Sequence, residues 1–155
     1  MDLTNYEELI LEREKLLEKR EENKKRIKEI DFKIRYYEWR YSTCLRIIKI
    51  NKNNINSYKK LQNYSKKNKS LFDSIASLEY NDDFYENIIT DFEIKNKEIK
   101  IEAFNVSKTI DAYKDYRNKI EVENKKINII VSKIDETIND KDIKGKVLTK
   151  GEMKW

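Results

Sequence analysis

Cys44 is the only thiol in the chain, and no histidine occurs anywhere in the 155 residues. A nucleophile activated by imidazole is therefore excluded, and Cys44 itself falls on an apolar heptad position, where a buried structural thiol is expected instead of a reactive one. Without histidine and with a single cysteine, a metal site would have to be built from carboxylates alone. The adjacent acidic pairs Glu7-Glu8, Glu21-Glu22 and Asp82-Asp83 do not serve. Neighbours on a helix point about 100° apart, so such pairs read as helix-start charges or solvated surface. The glycines, Gly145 and Gly151, stand singly near the end of the chain and form no phosphate-cradling loop. No catalytic residue, metal site or cofactor is expected, and an enzyme is a poor reading of this sequence.

Two chemistries remain. Between Trp39 and Phe72 there is no acidic residue, and Arg40, Arg46, Lys49, Lys52, Lys59, Lys60, Lys66, Lys67 and Lys69 are interleaved with Tyr41, Tyr58 and Tyr64. Cations with aromatics are what a nucleic-acid surface needs, so the segment 40–69 carries that alternative. The competing use is neutralisation by a neighbouring helix. From Asp73 to Glu102 the balance reverses, with acids such as Asp82, Asp83, Asp91, Glu93 and Glu98 against Lys95, Lys97 and Lys100. A fold that turns back on itself between the blocks lays one beside the other.

The elements that would hold these side chains are helices. Charged residues make up 41% of the chain and apolar ones 38%, and there is no proline, a profile of long solvated helices more than of a thick core. Ten Tyr, five Phe and two Trp at helical spacing argue against disorder. Thr4 and Glu7 have the spacing of a capping box and start the first helix. From there one heptad register runs Tyr6, Arg13, Arg20, Ile27, Ile34, Tyr41, Ile48, Ile55, with a companion Leu9, Leu16, Asn23, Ile30, Tyr37, Cys44, Asn51, Tyr58. A second begins at Asn81-Asp82-Asp83 and runs Tyr85, Phe92, Ile99, Val106, Tyr113, Ile120, Ile127, Ile134, with the companion Ile89, Asn96, Ala103, Ile110, Arg117, Asn124, Val131, Ile138.

The expected fold class is all-α. Two long antiparallel helices form a coiled-coil helical hairpin over residues 4–139, with arm one at about 4–62, a tip at about 63–82 and arm two at about 83–139. The polar stretch from Gln62 to Ser70 reads as the turn, with Leu71, Phe72, Ile75 and Leu78 available for a short helix at the tip. If the arms pair symmetrically about that turn, Tyr41 lies near Ala103. Residues 140–155 read as a flexible C-terminal tail in which Val147, Leu148, Met153 and Trp155 are a candidate docking peptide.

The expected hairpin seam is Ile27, Ile34, Tyr41, Ile48, Ile55, Phe92, Ile99, Val106, Tyr113, Ile120, Ile127 and Ile134. Off this stripe stand Phe32, Trp39, Leu45, Ile88, Ile101, Phe104, Tyr116, Ile129 and Ile130, together with Ile47, Ile50, Ile94 and Val122. They are large and numerous enough to form a second, partner-facing seam. The function expected from them is non-catalytic protein–protein interaction, with a helical protein or a second copy of the chain as partner. Alternatives are a nucleic-acid-binding coiled coil through 40–69 and a homo-oligomeric structural coiled coil. The acidic N-terminus lacks the basic and apolar regions of a secretory signal, and no run of about 18 apolar residues offers a membrane span. Synthesis in the cytoplasm is expected, with export, if any, independent of a cleavable signal.

The proline-free, acid-starting helical hairpin over 4–139 resembles the small helical companions of type VII secretion, the Trp-x-Gly-like proteins and the helical partners of LXG-domain toxins. The resemblance implies a chaperone or targeting adaptor that packs side by side with the helical domain of a secreted toxin. Trp39 is followed by Arg40-Tyr41 in place of x-Gly, and no Tyr has an acid four residues on, so the resemblance implies a companion without its own targeting motif.

Overall fold

A run of 65 residues with neither proline nor glycine forms the first helix, α1 (Leu3–Lys67), and a proline-free run of 71 forms α2 (Asp82–Glu152). In the computed structural model the backbone is described for residues 3–68 and 82–152, and the side chains for 5–68 and 83–140. The chain is an all-α helical hairpin, and no described residue adopts a left-handed backbone.

The helix ends depart from the sequence reading in three places. α1 is already helical at Leu3, which puts Thr4 inside its first turn instead of at the cap. Residues 62–67, expected to turn, continue α1. The reason is visible at Ser65, which lies one heptad beyond Tyr58, is buried, and shares a hydrogen bond of 3.2 Å with the Tyr85 hydroxyl. A small polar residue thus keeps the register going where no apolar one marks it. At the other end, α2 runs past Asp140 to Glu152, so the backbone of the expected tail is helical over most of its length. The end of the heptads is not a helix stop, and an interior glycine such as Gly145 costs only about 1 kcal/mol. Val147 and Leu148 lie on this extension with side chains outside the described residues. Met153, Trp155 and the proposed tip helix also fall outside them.

The chain divides into two units, Met1–Lys33 with Tyr113–Trp155, and Ile34–Ala112. In the first, α1 and α2 run antiparallel: Arg13 bonds Asp135, Arg20 bonds Asn128, Asn23 bonds Asn124, and Arg117 bonds Asp31. Each step up α1 is answered by a step down α2. The core consists of Ile30 from α1 and Ile120, Ile127, Val131 and Ile134 from α2. In the second unit the same antiparallel order is set by Arg40 to Glu102, Asn51 to Asn96 and Ser65 to Tyr85. Its core is Ile34, Cys44, Ile48, Ile55, Ile89, Ala103, Val106 and Ile110. Burying an isoleucine in such a layer stabilises by roughly 1.5–3 kcal/mol.

Two heptad layers are polar, and they are built alike. In the second unit Asn51 Nδ2 donates to Asn96 Oδ1 at 2.8 Å, and Asn96 Nδ2 donates back to the Ile48 carbonyl at 3.3 Å. In the first, Asn23 Nδ2 donates to Asn124 Oδ1 at 2.9 Å, and Asn124 Nδ2 donates back to the Arg20 carbonyl at 3.4 Å. Each time the returning bond ends three residues before the α1 asparagine. Asn23 is fully buried, and its Oδ1, like the nearby Arg20 Nε, has no hydrogen-bond partner, so the layer in the first unit is the less satisfied.

These layers also refine the expected register. One heptad from Asn51 towards the start of α1 lies Cys44, and one heptad from Asn96 towards the end of α2 lies Ala103, both buried. By the same repeat Ala103 is aligned with Cys44, three residues from Tyr41, and the bond between Arg40 and Glu102 joins the immediate neighbours of Tyr41 and Ala103.

Candidate functional site

Of the seam residues, Ile34, Ile48, Ile55, Val106, Ile120, Ile127 and Ile134 are buried, while Ile27, Tyr41, Phe92, Ile99 and Tyr113 are half-buried. Tyr58 stacks on Phe92 at 5.9 Å between centroids, one heptad before the Ser65–Tyr85 contact. The seam is thus consumed by the pairing of α1 and α2.

The off-seam residues divide differently. In the first unit Phe32 (70% exposed), Tyr116, Ile129 and Ile130 face solvent, as does Val122. In the second, Trp39 (62%), Leu45, Ile101 (62%) and Phe104 (58%) are exposed, with Ile47, Ile50 and Ile94 alongside. Ile88 is the exception: it is half-buried beside the core residue Ile89 and does not belong to the outward set. Tyr36, Leu61, Tyr64 and Phe84 are exposed residues that were not among the candidates. For Tyr36, three residues before Trp39, and for Leu61 and Tyr64, each fourteen residues after Ile47 and Ile50, that helical offset was the signal that could have found them. Contiguous exposed apolar area of this kind is larger on interaction surfaces than elsewhere.

Charge on the second unit is only partly used internally. Arg40 Nη2 donates to Glu102 Oε1 at 2.7 Å, joining the basic block of α1 to the acidic block of α2. This hydrogen bond holds the guanidinium even more firmly protonated than usual. Arg117, in the first unit, is likewise raised, chiefly by its forked contact with Asp31 and then by the nearby Glu121. Arg46, Lys49, Lys60 and Lys67 remain exposed on α1.

Among the described residues, no group of three or more His, Cys, Asp or Glu side chains is placed to hold a metal ion, and no helix is long and apolar enough to cross a membrane. The surface hollows are open and run along helix faces, as at Asn118, Lys119, Val122, Glu123 and Lys126. Cys44 sits in the core, and burial pushes its thiol above the ordinary range. A raised value means less thiolate at neutral pH. Alkylation of Cys44 at pH 8 is expected to be at least about tenfold slower in the folded chain than in denaturant, as a thiol-reagent time course would show. Equal rates in the two states would place Cys44 outside the core.

No protein family, no curated protein and no solved structure matches this chain, so the reading of its surface rests on the residues themselves.

Proposed function

We propose that the protein is a non-catalytic interaction module, a helical hairpin that lays its outward apolar residues against the helices of a protein partner. The observation that supports this reading is the division of the apolar residues into two sets. One set fills the seam between α1 and α2, and the other, including Phe32, Trp39, Ile101, Phe104 and Ile129, stands in solvent on the outward faces. An apolar residue that contributes nothing to folding costs solubility unless an interface uses it.

Hairpins bind helices by packing side by side, with apolar anchors at helical spacing. The resemblance to type VII secretion companions makes the helical domain of an LXG-type toxin the first partner to test, and places the protein as a chaperone or targeting partner of that domain. The test is co-purification of the tagged full chain with such a domain. A stoichiometric complex is expected, weakened at least about tenfold by Trp39→Asp or Ile50→Asp, in the range of an interface anchor. An unchanged far-ultraviolet circular dichroism spectrum would show that the variants still fold. A complex that survives both substitutions would refute the assignment of the outward faces.

A further inference from the structure

We propose that the outward face of α1 between Trp39 and Lys67 is the docking surface for an acidic amphipathic helix of a partner protein. The inference deepens the interaction-module reading and rests on it.

The face is defined by spacing. Trp39, Ile50 and Tyr64 are exposed and lie eleven and fourteen residues apart, close to three and four whole turns, so they align on one side of α1 away from the seam. Trp39 is steadied by Tyr36, whose ring centroid is 6.4 Å away. Among these apolar residues stand Arg46, Lys49, Lys60 and Lys67, all exposed, and no acid occurs between Trp39 and Lys67. Arg40, the cation of this stretch that faces the acidic arm, is already held by Glu102.

The opposite outward surface of the same unit differs. On α2, Ile94, Ile101 and Phe104 are accompanied by both Asp91 and Glu98 and by Lys97 and Lys108, and the Lys108 ammonium lies 4.4 Å from the Phe104 ring centroid. That face is mixed in sign and selects no charge. The α1 face has one sign and an apolar row, and its complement is a helix with an apolar stripe at the same turn spacing flanked by Asp and Glu. The apolar contacts supply the affinity, while the complementary charges select the partner and speed its approach. A nucleic acid would use the cations and could stack on Trp39 or Tyr64, but it would leave Ile50 without a role.

The experiment uses the full chain and labelled probes followed by fluorescence anisotropy. One peptide of about four heptads carries Leu at its a and d positions and Glu at the flanks. A second has Lys in place of Glu, and the third probe is a single-stranded oligothymidylate. The Glu peptide is expected to bind at least tenfold more tightly than either other probe, and to weaken in salt. Trp39→Ala and the pair Arg46→Glu with Lys49→Glu should each weaken it at least tenfold, with circular dichroism unchanged, and Ile101→Asp should not. Equal binding of both peptides, preferred binding of the oligonucleotide, or no binding of the Glu peptide overturns the proposal. Loss of Glu-peptide binding through Ile101→Asp alone moves the surface to α2, which overturns this inference and leaves the interaction-module reading standing. Failure of both peptides together with a mass that grows with concentration overturns both.

Discussion

Asn96→Leu alone is expected to destabilise the chain by about 2 kcal/mol, whereas Asn51→Leu with Asn96→Leu is expected to stabilise it by a similar amount. The single substitution removes the acceptor of the Asn51 amide and the return bond to the Ile48 carbonyl, leaving a buried donor without a partner. The double substitution makes an apolar layer continuous with Ile48 and Ile55, both buried. Stability should come with a loss of specificity, because a buried asparagine fixes the alignment and number of strands that leucine tolerates in several forms. Urea unfolding reads the first effect, and light scattering of the double variant, expected to show species larger than the monomer, reads the second. A single variant as stable as the parent would mean that the asparagine layer does not set the register.

The second large effect separates two residues that lie two positions apart. Ile127 is 4% exposed and Ile129 is 56% exposed. Ile127→Ala is expected to cost about 3 kcal/mol, since it removes buried methyl groups and leaves a cavity in the seam. Ile129→Ala should change stability by less than about 0.5 kcal/mol, as surface substitutions do. Thermal or urea unfolding of the two variants compares them directly. Similar losses for both would mean that Ile129 is covered in solution and that the outward face is not free.

The two registers were legible because burial in a helix pair repeats every seven residues. Ile30, Cys44, Ile48, Ile55, Ile89, Val106, Ile120, Ile127, Val131 and Ile134 all belong to them. What periodicity along one helix does not carry is the alignment of that helix on another. Asn23, Asn51, Asn96 and Asn124 appear in the sequence as separate polar breaks, and only the structure shows them as two matched layers. The signal was present: Asn23 and Asn51 stand four heptads apart on α1, as Asn96 and Asn124 do on α2. Equal intervals between polar breaks on two arms define a register in which both pairs meet.

Ser65 and Arg117 show why apolar patterns understate helix pairing. Ser65 occupies a heptad position by hydrogen bonding to Tyr85, and Arg117 does so by reaching out to Asp31 on the facing helix. Both look like breaks when hydrophobicity alone is scored. The outward residues were legible for the converse reason: Phe32, Trp39, Ile101, Phe104 and Ile129 are apolar yet out of register with the seam, and that mismatch is what exposes them. Ile88 fell on the other side of this line: it is half-buried although it is out of register with the seam.

The function proposed follows from this division of labour. Residues in register hold α1 to α2, with two asparagine layers bonded across the pair, and residues out of register stand in solvent, where the proposal has a partner cover them. A helix pair buries one side of each helix, so its own stability is modest, and a partner that covers the outward faces would add to it by mass action.

The most direct test of this account is the mass of the purified chain by light scattering across concentrations, with circular dichroism on the same samples. The account predicts a strongly helical species that stays at the 18.9 kDa of one chain as concentration rises. A mass that climbs to a dimer or larger species would show the outward apolar faces covered by other copies of the chain, and would contradict a hairpin that keeps them for a different partner.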